Sequence, residues 1–335
     1  MQDGFIGAIG NTPLIYLRVP SALCGCDIFG KAEFMNPGGS VKDRAAWGLV
    51  RDAERQGVLT AGKDGIIVEG TAGNTGIGLA LVGRARGYRT EIVMPKTQSE
   101  EKKDFLRLCG ARLHLVEAVP YRNPKNYVRY SETLADTIRK TSDVPVLWAN
   151  QFDNCANRQM HLETTAEEIW TQTSGRVDAF ICSVGTGGTL AGVGMGLKKK
   201  NPSVRIALAD PMGSALYAHY TQGCLCATGS SITEGIGQGR ITKNLQDAPI
   251  DEAVQVDDTQ ALNMVYDLAE KEGLILGGSS GVNVAAAVQL GKRLGKGKRI
   301  VTILCDSGNR YQSKLFNVDF LREKNLPVPS WLETP

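Results

Sequence analysis

Short apolar runs rich in β-branched residues alternate with longer amphipathic stretches along most of the chain. The apolar runs predict β-strands at 27–34, 65–70, 90–95, 111–118, 145–150, 178–184, 204–210 and 299–306. The amphipathic stretches predict helices at 41–56, 74–86, 99–109, 157–173 and 259–272. Short strands that alternate with helices indicate βαβ units and a parallel sheet. Several runs are apolar on both faces, as expected where helices cover both sides of a sheet, so the pattern predicts a doubly wound α/β fold.

The chain is long enough for two domains. It has 335 residues, whereas a single hydrophobic core rarely grows beyond roughly 250–300 residues. The segment ANQFDNCAN interrupts the alternation and predicts a boundary near 150–157. Two doubly wound lobes would bind ligands at the carboxyl ends of their strands.

The charge balance and the opening segment narrow the class of protein. The 38 Lys and Arg residues exceed the 35 Asp and Glu residues by three, which argues against a dedicated nucleic-acid binder. No apolar run approaches the ~18–20 residues that span a bilayer. The opening MQDGFIGAIG lacks the basic start and apolar stretch of a signal peptide. We therefore expect a cytoplasmic protein that binds neither nucleic acid nor membranes.

Two C-x-C pairs, Cys24 with Cys26 and Cys224 with Cys226, resemble metal ligands at first sight. Zinc sites more often use C-x₂₋₄-C spacing with a second pair or matching histidines. The chain has only three histidines, and neither pair has the spacing of a zinc site. We expect no metal site.

A glycine-threonine loop follows the apolar run that ends at Val184 and consists of Gly185, Thr186, Gly187, Gly188 and Thr189. Glycines let the backbone approach a phosphate, and the free N–H groups and dipole of the following helix favour its negative charge. The loop lacks both the Walker A sequence and the G-x-G-x-x-G spacing. The alternative is a tight turn whose glycines only satisfy backbone geometry.

A second junction, TAGNTG at 71–76, also joins a predicted strand to a predicted helix. Its N–H groups and its Thr and Asn side chains would suit the carboxylate of an amino acid. The alternative is an ordinary helix N-cap formed by Asn74 or Thr75. A late junction, GGSSG at 277–281, offers Ser279 either to a ligand or as a helix N-cap.

Lys42 lies in the segment NPGGSVKDR, in the first turn of a predicted helix. A positive charge is unfavourable at this end of a helix dipole. The position suits a lysine whose charge is removed by covalent chemistry or by burial. The alternative is an ordinary solvated lysine.

The motifs PGGSVKDR, TAGNTG, GTGGT and GGSSG occur in this order along one chain. The combination resembles the cysteine synthase and cystathionine β-synthase group of the fold type II pyridoxal-phosphate (PLP) enzymes, and within it the cysteine synthases (O-acetylserine sulfhydrylases). The resemblance runs from NTPL at 11–14 to SGNRY at 307–311. It implies the tryptophan synthase β-like fold, with PLP in the cleft between two doubly wound lobes. The smaller, mobile, substrate-binding lobe would comprise 45–155, and the larger, phosphate-binding lobe 1–44 with 156–335.

The resemblance also implies a role for each motif. Lys42 would form the Schiff base, or internal aldimine, with PLP. Asn74 would hydrogen-bond the 3′ oxygen of the cofactor, and Ser279 would face its pyridine nitrogen. The phosphate would lie on the glycine-threonine loop formed by Gly185, Thr186, Gly187, Gly188 and Thr189. The predicted substrate-binding residues are Thr71, Ala72, Gly73, Thr75, Gln151 and Gly235.

The implied activity is a β-replacement in which Lys42 removes the α-proton and an α-aminoacrylate forms. An O-activated serine, O-acetyl-L-serine or a phosphorylated one, would react with sulfide or a thiol to give L-cysteine or an analogue. A cystathionine β-synthase-like replacement with another nucleophile, β-elimination, and a non-catalytic role as a partner of serine acetyltransferase are the alternatives. Ala72, where the family commonly has serine, and Cys155, where proline is commoner, leave the substrate pair open. The family further implies a homodimer and a cleft that can hold the tail of serine acetyltransferase.

Overall fold

The computed structural model of the chain describes residues 4–333; residues 1–3 and 334–335, at the two ends of the predicted larger lobe, lie outside the described residues. The strands are β1 (Leu14–Tyr16), β2 (Asp27–Ala32), β3 (Ile66–Gly70), β4 (Arg89–Pro95), β5 (Ala111–Val116), β6 (Val146–Trp148), β7 (Ala179–Ser183), β8 (Arg205–Pro211), β9 (Glu252–Val256) and β10 (Arg299–Leu304). The mixed α/β architecture agrees with the predicted fold class.

The helices follow the strands in the expected alternation. They are α1 (Gly4–Gly7), α2 (Arg18–Cys24), α3 (Lys42–Arg55), α4 (Asn74–Arg86), α5 (Glu100–Leu108), α6 (Tyr127–Thr141), α7 (Ala156–Met160), α8 (Ala166–Gln172), α9 (Gly188–Lys200), α10 (Leu216–Gln222), α11 (Asp258–Glu272), α12 (Gly278–Leu294), α13 (Val318–Glu323) and α14 (Ser330–Glu333). A π-helical turn, His161–Thr165, joins α7 to α8, and 3₁₀ turns lie at Glu33–Met35 and Gly308–Tyr311. None of the described helices combines the length and apolar character needed to cross a membrane.

The chain forms two compact units. Of the described residues, the first unit contains 4–10 and Asn36–Met160, and the second contains Asn11–Met35 and 161–333. The predicted lobes differ from these units at 4–10, 36–44 and 156–160. The reason is that α3 packs along both α4 and α7, so the whole of α3, from Lys42 onward, belongs to the first unit. The assignment of 45–155 as a mobile, substrate-binding lobe stays a prediction.

The first unit is built on a four-stranded parallel sheet with the order β5-β4-β3-β6. Every residue of β3 is buried, because helices cover both faces. Leu49 of α3 and Leu79 of α4 pack with Ile67 on one face, whereas Ala135 of α6 packs with Val68 on the other. The chain moves from β3 through β4 to β5 and then returns to the other side of β3. The topological switch point, where such sheets bind ligands, therefore lies between β3 and β6.

The second unit has a six-stranded sheet with the order β1-β2-β10-β7-β8-β9. Its strands are parallel except for β1, which pairs with β2 in the antiparallel direction. Helix α12 is buried along most of its length and contacts β2, β10, β7, β8 and β9. The chain runs from β7 through β8 to β9 and then returns to place β10 beside β7. The switch point of this sheet therefore lies between β7 and β10.

Candidate functional site

The predicted carboxylate loop lies at the switch point of the first unit, directly after β3. Helix α4 begins at Asn74, and its N-cap is Gly73, which supplies no side-chain cap. The alternative interpretation, a cap by Asn74 or Thr75, is therefore wrong. Thr71 turns back within the loop, where its Oγ1 accepts a hydrogen bond from Gly73 N at 3.2 Å. Ala72 packs against the apolar cluster beneath α4, in keeping with its lack of a hydroxyl.

Gln151 follows β6 on the other side of the same switch point. Its Oε1 accepts a hydrogen bond from the Thr75 hydroxyl at 2.5 Å, so the structure brings two predicted carboxylate ligands together. The Gln151 Nε2 atom donates to Glu69 Oε1 at 3.1 Å. Glu69 is the penultimate residue of β3 and is 1% exposed. Burial raises the pKa of this carboxyl to about 8, against the hydrogen bonds it accepts.

Lys42 is the first residue of α3, as the sequence predicts, and its side chain is half-buried. Its backbone N–H donates to Ser40 Oγ at 3.2 Å. The preceding loop is tied down because Gly38 N donates to Asp43 Oδ2 at 2.6 Å. Gly78 of α4 allows a close approach here, because a Cβ would lie 3.1 Å from Lys42 O. The turn that carries Lys42 is therefore packed firmly on α4.

The glycine-threonine loop lies at the switch point of the second unit, between β7 and α9. Gly187 is the N-cap of α9 with φ +88°, a conformation that favours glycine. Thr186 holds the turn through Oγ1, which accepts from Gly188 N at 3.3 Å, and through its carbonyl, which accepts from Thr242 Oγ1 at 2.7 Å. A Cβ on Gly185 would overlap the carbonyl oxygen of Gly235. The structure thus brings Gly235 to the loop, although the two are distant in sequence.

His161 lies beneath the loop and is missing from the sequence prediction. Its Nε2 lies 3.2 Å from Thr189 Oγ1, and its Nδ1 lies 2.9 Å from Thr165 Oγ1. His161 is 1% exposed and belongs to the π-helical turn. Such turns are frequent at functional sites. The buried ring therefore fixes the Thr189 hydroxyl at the first turn of α9.

Ser279 is the second residue of α12 and is 8% exposed. The N-cap is Gly277, which excludes the simple cap interpretation of Ser279. Its hydroxyl makes no hydrogen bond to the residues that the structure describes, whereas the neighbouring Ser280 Oγ accepts from Cys305 N at 2.9 Å. Gly277 N donates to Asp306 O at 3.1 Å, which holds the start of α12 at the carboxyl end of β10. Ser279 and the glycine-threonine loop therefore lie at the ends of neighbouring strands.

These residues fit a phosphate-bearing cofactor. The loop at 185–189 presents backbone N–H groups at the start of a 13-residue helix and has no Cβ at three of its five positions. Such a cradle binds phosphate through N–H groups and the helix dipole. Lys42 and the hydroxyl of Ser279 are the groups with chemistry suited to an aldehyde and to a ring nitrogen respectively.

Comparisons with known proteins identify the family. The sequence profile of one family, described as "pyridoxal-phosphate dependent enzyme", matches residues 6–306. Cysteine synthase 1 of Neurospora crassa is 52% identical over 340 residues, covering 99% of this chain and 89% of the relative. Cystathionine beta-synthase of Apis mellifera is 36% identical and covers 98% of this chain and 64% of the relative.

Solved structures agree with this result. The crystal structure of O-ureido-L-serine synthase superposes with a TM-score of 0.83 at 34% identity, covering 95% of this chain and 96% of that one. A hydrogen sulfide-producing enzyme from Fusobacterium nucleatum superposes with a TM-score of 0.81 at 33% identity, covering 93% of this chain and 100% of that one. The chain therefore belongs to the family of pyridoxal-phosphate-dependent enzymes.

Proposed function

We propose that this chain catalyses a PLP-dependent β-replacement that forms L-cysteine from O-acetyl-L-serine and sulfide. The observation that carries the proposal is its similarity, over 99% of its length, to a fungal protein named cysteine synthase 1. The presence of Lys42 at the start of α3 supports catalysis rather than a purely binding role.

PLP, when bound, supplies an electron sink that stabilises negative charge on the substrate Cα. Lys42 would hold the cofactor through its Nζ atom and would later take the proton from the substrate Cα and return it. Ser279 would accept or donate one hydrogen bond at the ring nitrogen without imposing a full charge there. Asn74 would bind the 3′ oxygen. The loop at 185–189 would hold the phosphate, with Thr189 oriented by the buried histidine beneath it.

The substrate carboxylate would bind at 71–75 and at Gln151. Thr71, Gly73 and Thr75 present hydroxyl or N–H groups at the start of α4, where the helix dipole favours an anion. Ala72 adds no hydroxyl to this set. Gly235 would line the substrate site beside the glycine-threonine loop, since its carbonyl faces Gly185. Together these groups would orient the amino acid so that its Cα faces the base.

The nucleophile and the activating group on serine are the finer points of the proposal. The similarity to a cystathionine beta-synthase favours a second candidate, replacement by homocysteine or another thiol. A β-elimination that releases pyruvate is the third alternative. These reactions share every residue above and differ only in what adds to the β-carbon.

The proposal is tested by supplying purified holoenzyme with O-acetyl-L-serine or O-phospho-L-serine, each with sulfide or homocysteine. We expect L-cysteine as the main product with the acetylated substrate and sulfide, and little pyruvate. Borohydride reduction followed by peptide mass spectrometry should find the cofactor on Lys42. Lys42→Ala should lose both signals, whereas Lys63→Ala, at an exposed lysine of the same unit, should keep them. Cofactor-loaded protein that turns over neither serine derivative would refute the proposal.

We further infer a cytoplasmic homodimer whose site can hold the C-terminal tail of serine acetyltransferase. The family resemblance supports the dimer and the tail. One relative is named a putative mitochondrial cysteine synthase, so cell fractionation is the direct test of location. Light scattering and titration with a tail peptide test the other two points.

A further inference from the structure

A buried hydrogen-bond relay links three residues of the first unit. The Thr75 hydroxyl donates to Gln151 Oε1 at 2.5 Å, and Gln151 Nε2 donates to Glu69 Oε1 at 3.1 Å. The residues Thr75, Gln151 and Glu69 are 2%, 4% and 1% exposed respectively. Thr75 and Gln151 are predicted from the sequence as carboxylate ligands, whereas Glu69 is not. The carboxyl at the far end of the relay therefore has no role yet in the proposed reaction.

The chain after β6 is shaped to bring N–H donors to Glu69. Asn150 adopts φ +48°, which is uncommon for a residue with a side chain. The backbone N–H of Gln151 donates to Glu69 Oε2 at 3.4 Å, and the backbone N–H groups of Asn150 and Gly70 also favour the ionised form and so lower the pKa of this carboxyl. A run of N–H groups in such a turn forms a small anion-binding concavity. Glu69 is thus held in one place in either protonation state.

Both protonation states of Glu69 are accessible near neutral pH, because its pKa is about 8. On the neighbouring strand β4, the register partner of Glu69 is the apolar Ile92. From the chain after β6 it faces the uncharged Asn150 and Gln151. From α6 it faces Tyr127, whose pKa is raised by burial and by the negative charge of Glu69. Glu69 is therefore the group in this part of the structure whose charge changes as the pH varies.

The protonation of Glu69 dictates which way the Gln151 amide points. A carboxylate can only accept hydrogen bonds, so it accepts one from Gln151 Nε2. The Gln151 Oε1 atom then accepts the single hydrogen bond that the Thr75 hydroxyl can donate. A neutral carboxyl has one hydrogen to donate, and its natural acceptor is Oε1. The amide then turns over, Nε2 donates to Thr75 Oγ1, and the Thr75 hydrogen is released for another acceptor.

We propose that Glu69 is a positioning residue that sets the direction of the Gln151 amide and so decides whether Thr75 can donate to the substrate carboxylate. The inference rests on the proposed function, in which Thr75 and Gln151 bind that carboxylate. It adds a control that acts through hydrogen-bond direction, in which the Gln151 amide turns over and the Thr75 and Glu69 side chains keep their positions.

The consequence is a pH-dependent affinity for carboxylates. With neutral Glu69 the ligand gains a hydrogen bond from the Thr75 hydroxyl, and with ionised Glu69 it loses it. A hydrogen bond to a charged group changes binding by roughly tenfold or more. We therefore expect the affinity to fall by about this factor as the pH rises through the titration of Glu69.

The decisive experiment follows the relay directly in the holoenzyme by NMR. Side-chain carboxyl carbons of Glu and side-chain amides of Gln are labelled, and the pH is varied from about 6 to 10, a range chosen to bracket the raised pKa. The Gln151 amide signals, identified by their loss in Gln151→Asn, should shift with the same midpoint as the Glu69 carboxyl carbon. In Glu69→Gln the amide signals should no longer titrate. Glu91→Gln, which removes a buried carboxyl of β4 that bonds to His114, is the matched control and should titrate as the wild type does.

Binding of acetate, a carboxylate without an amine that would titrate in the same range, completes the test. Wild type should lose about tenfold in affinity across the titration of Glu69. Glu69→Gln should bind acetate with no such loss, because the introduced side-chain amide can donate to Gln151 Oε1 at every pH. Thr75→Val should bind acetate weakly and without pH dependence. This variant tests the inference even if Glu69→Gln does not fold.

Two results would overturn the inference. One is a Glu69 carboxyl that titrates while the Gln151 amide stays unchanged, and the other is a Glu69→Gln variant that keeps the wild-type pH dependence. Failure of the proposed function looks different: no cysteine forms and no cofactor is found on Lys42, yet the amide titration is still measurable.

Discussion

Gly187→Ala tests whether the glycine-threonine loop is as tightly constrained as its geometry indicates. Gly187 has φ +88°, and a Cβ there would lie 2.7 Å from Leu245 Cβ and 3.0 Å from both Leu245 Cα and N. Ordinary contact begins at 3.4 Å, so the neighbouring chain must retreat by 0.7 Å, the difference between 3.4 and 2.7 Å. Two of the three close atoms belong to the backbone, which cannot rotate away as a side-chain tip could. The substitution is therefore both strained and overpacked.

The two costs can be estimated separately. A left-handed conformation costs a residue with a side chain about 1–2 kcal/mol, and overpacking a well-packed region costs about 1–3 kcal/mol. Together they predict a loss of roughly 2–5 kcal/mol. If the loop keeps its shape, this loss appears in the free energy of unfolding. If the loop rearranges, it appears as weaker cofactor binding, at about tenfold for each 1.4 kcal/mol.

Both quantities can be measured on one preparation. Urea unfolding gives the stability, and titration of cofactor-free protein with PLP, followed by cofactor absorbance, gives the affinity. Gly239→Ala is the matched control, because no atom lies within 4 Å of its added Cβ and Gly239 is outside the left-handed region. A Gly187→Ala variant that equals Gly239→Ala in both measurements would refute the reasoning.

Three further predictions concern buried polar groups. His161→Ala should weaken retention of PLP, because Thr189 loses the ring that fixes its hydroxyl; fluorescence titration with PLP, with His219→Ala as a control at a partly exposed histidine, would show this. Asn283→Ala should destabilise the protein by about 1–3 kcal/mol for each backbone group it leaves unpaired, since Asn283 bridges β7 and β10 at 2.7 Å on each side, and equal urea midpoints would contradict this. Folding raises the pKa of Glu69 from its ordinary 4.5 to about 8. The contribution of its neutral form to the free energy of unfolding is therefore complete below pH 4.5 and is lost as the pH rises through 8. At 1.36 kcal/mol per pH unit the loss is roughly 5 kcal/mol, and unfolding curves of Glu69→Gln against wild type should converge at low pH and diverge in favour of the variant at high pH.

The hydrophobic pattern predicted the central strands well and the edge strands poorly. All eight predicted runs contain a strand, whereas β1 and β9 were not predicted. Both lie at an edge of the larger sheet, where a strand has one neighbour. β1 has three residues after a proline, and β9 reads EAVQV, so neither shows the continuous apolar run of a strand covered on both faces. The antiparallel pairing of β1 with β2 also has no signature in such a short segment.

The loops at the switch points could be placed from sequence because glycines punctuate the strand-to-helix junctions. The residues that cap the following helices could not be predicted in the same way. At both TAGNTG and GGSSG the alternative interpretation assigned the cap to a polar side chain, but the structure uses Gly73 and Gly277. A glycine N-cap leaves the first N–H groups of the helix available, and this is a property of backbone geometry rather than of residue type.

Glu69 and His161 illustrate what local patterns cannot show. The partner of Glu69 is 82 residues away, and that of His161 is 28 residues away. A glutamate inside the apolar run IIVEG was nevertheless a signal, because a charge in a strand covered on both faces requires a special environment. His161 gave no comparable signal, since it lies in a helical stretch of ordinary amphipathic composition.

The order of strands in the larger sheet has a consequence for how the protein is made. Strand β10 lies between β2 and β7, and Asp27 of β2 pairs with Arg299 of β10, 272 positions later (from 27 to 299). At about 5–20 residues per second on the ribosome, β2 waits roughly 15–55 seconds for its partner to emerge. The first unit is encoded almost entirely between these strands and can fold meanwhile. Newly synthesised chains should therefore carry β1 and β2 paired only with each other until the end of translation, so the second edge of β2 is a segment that a chaperone would need to protect.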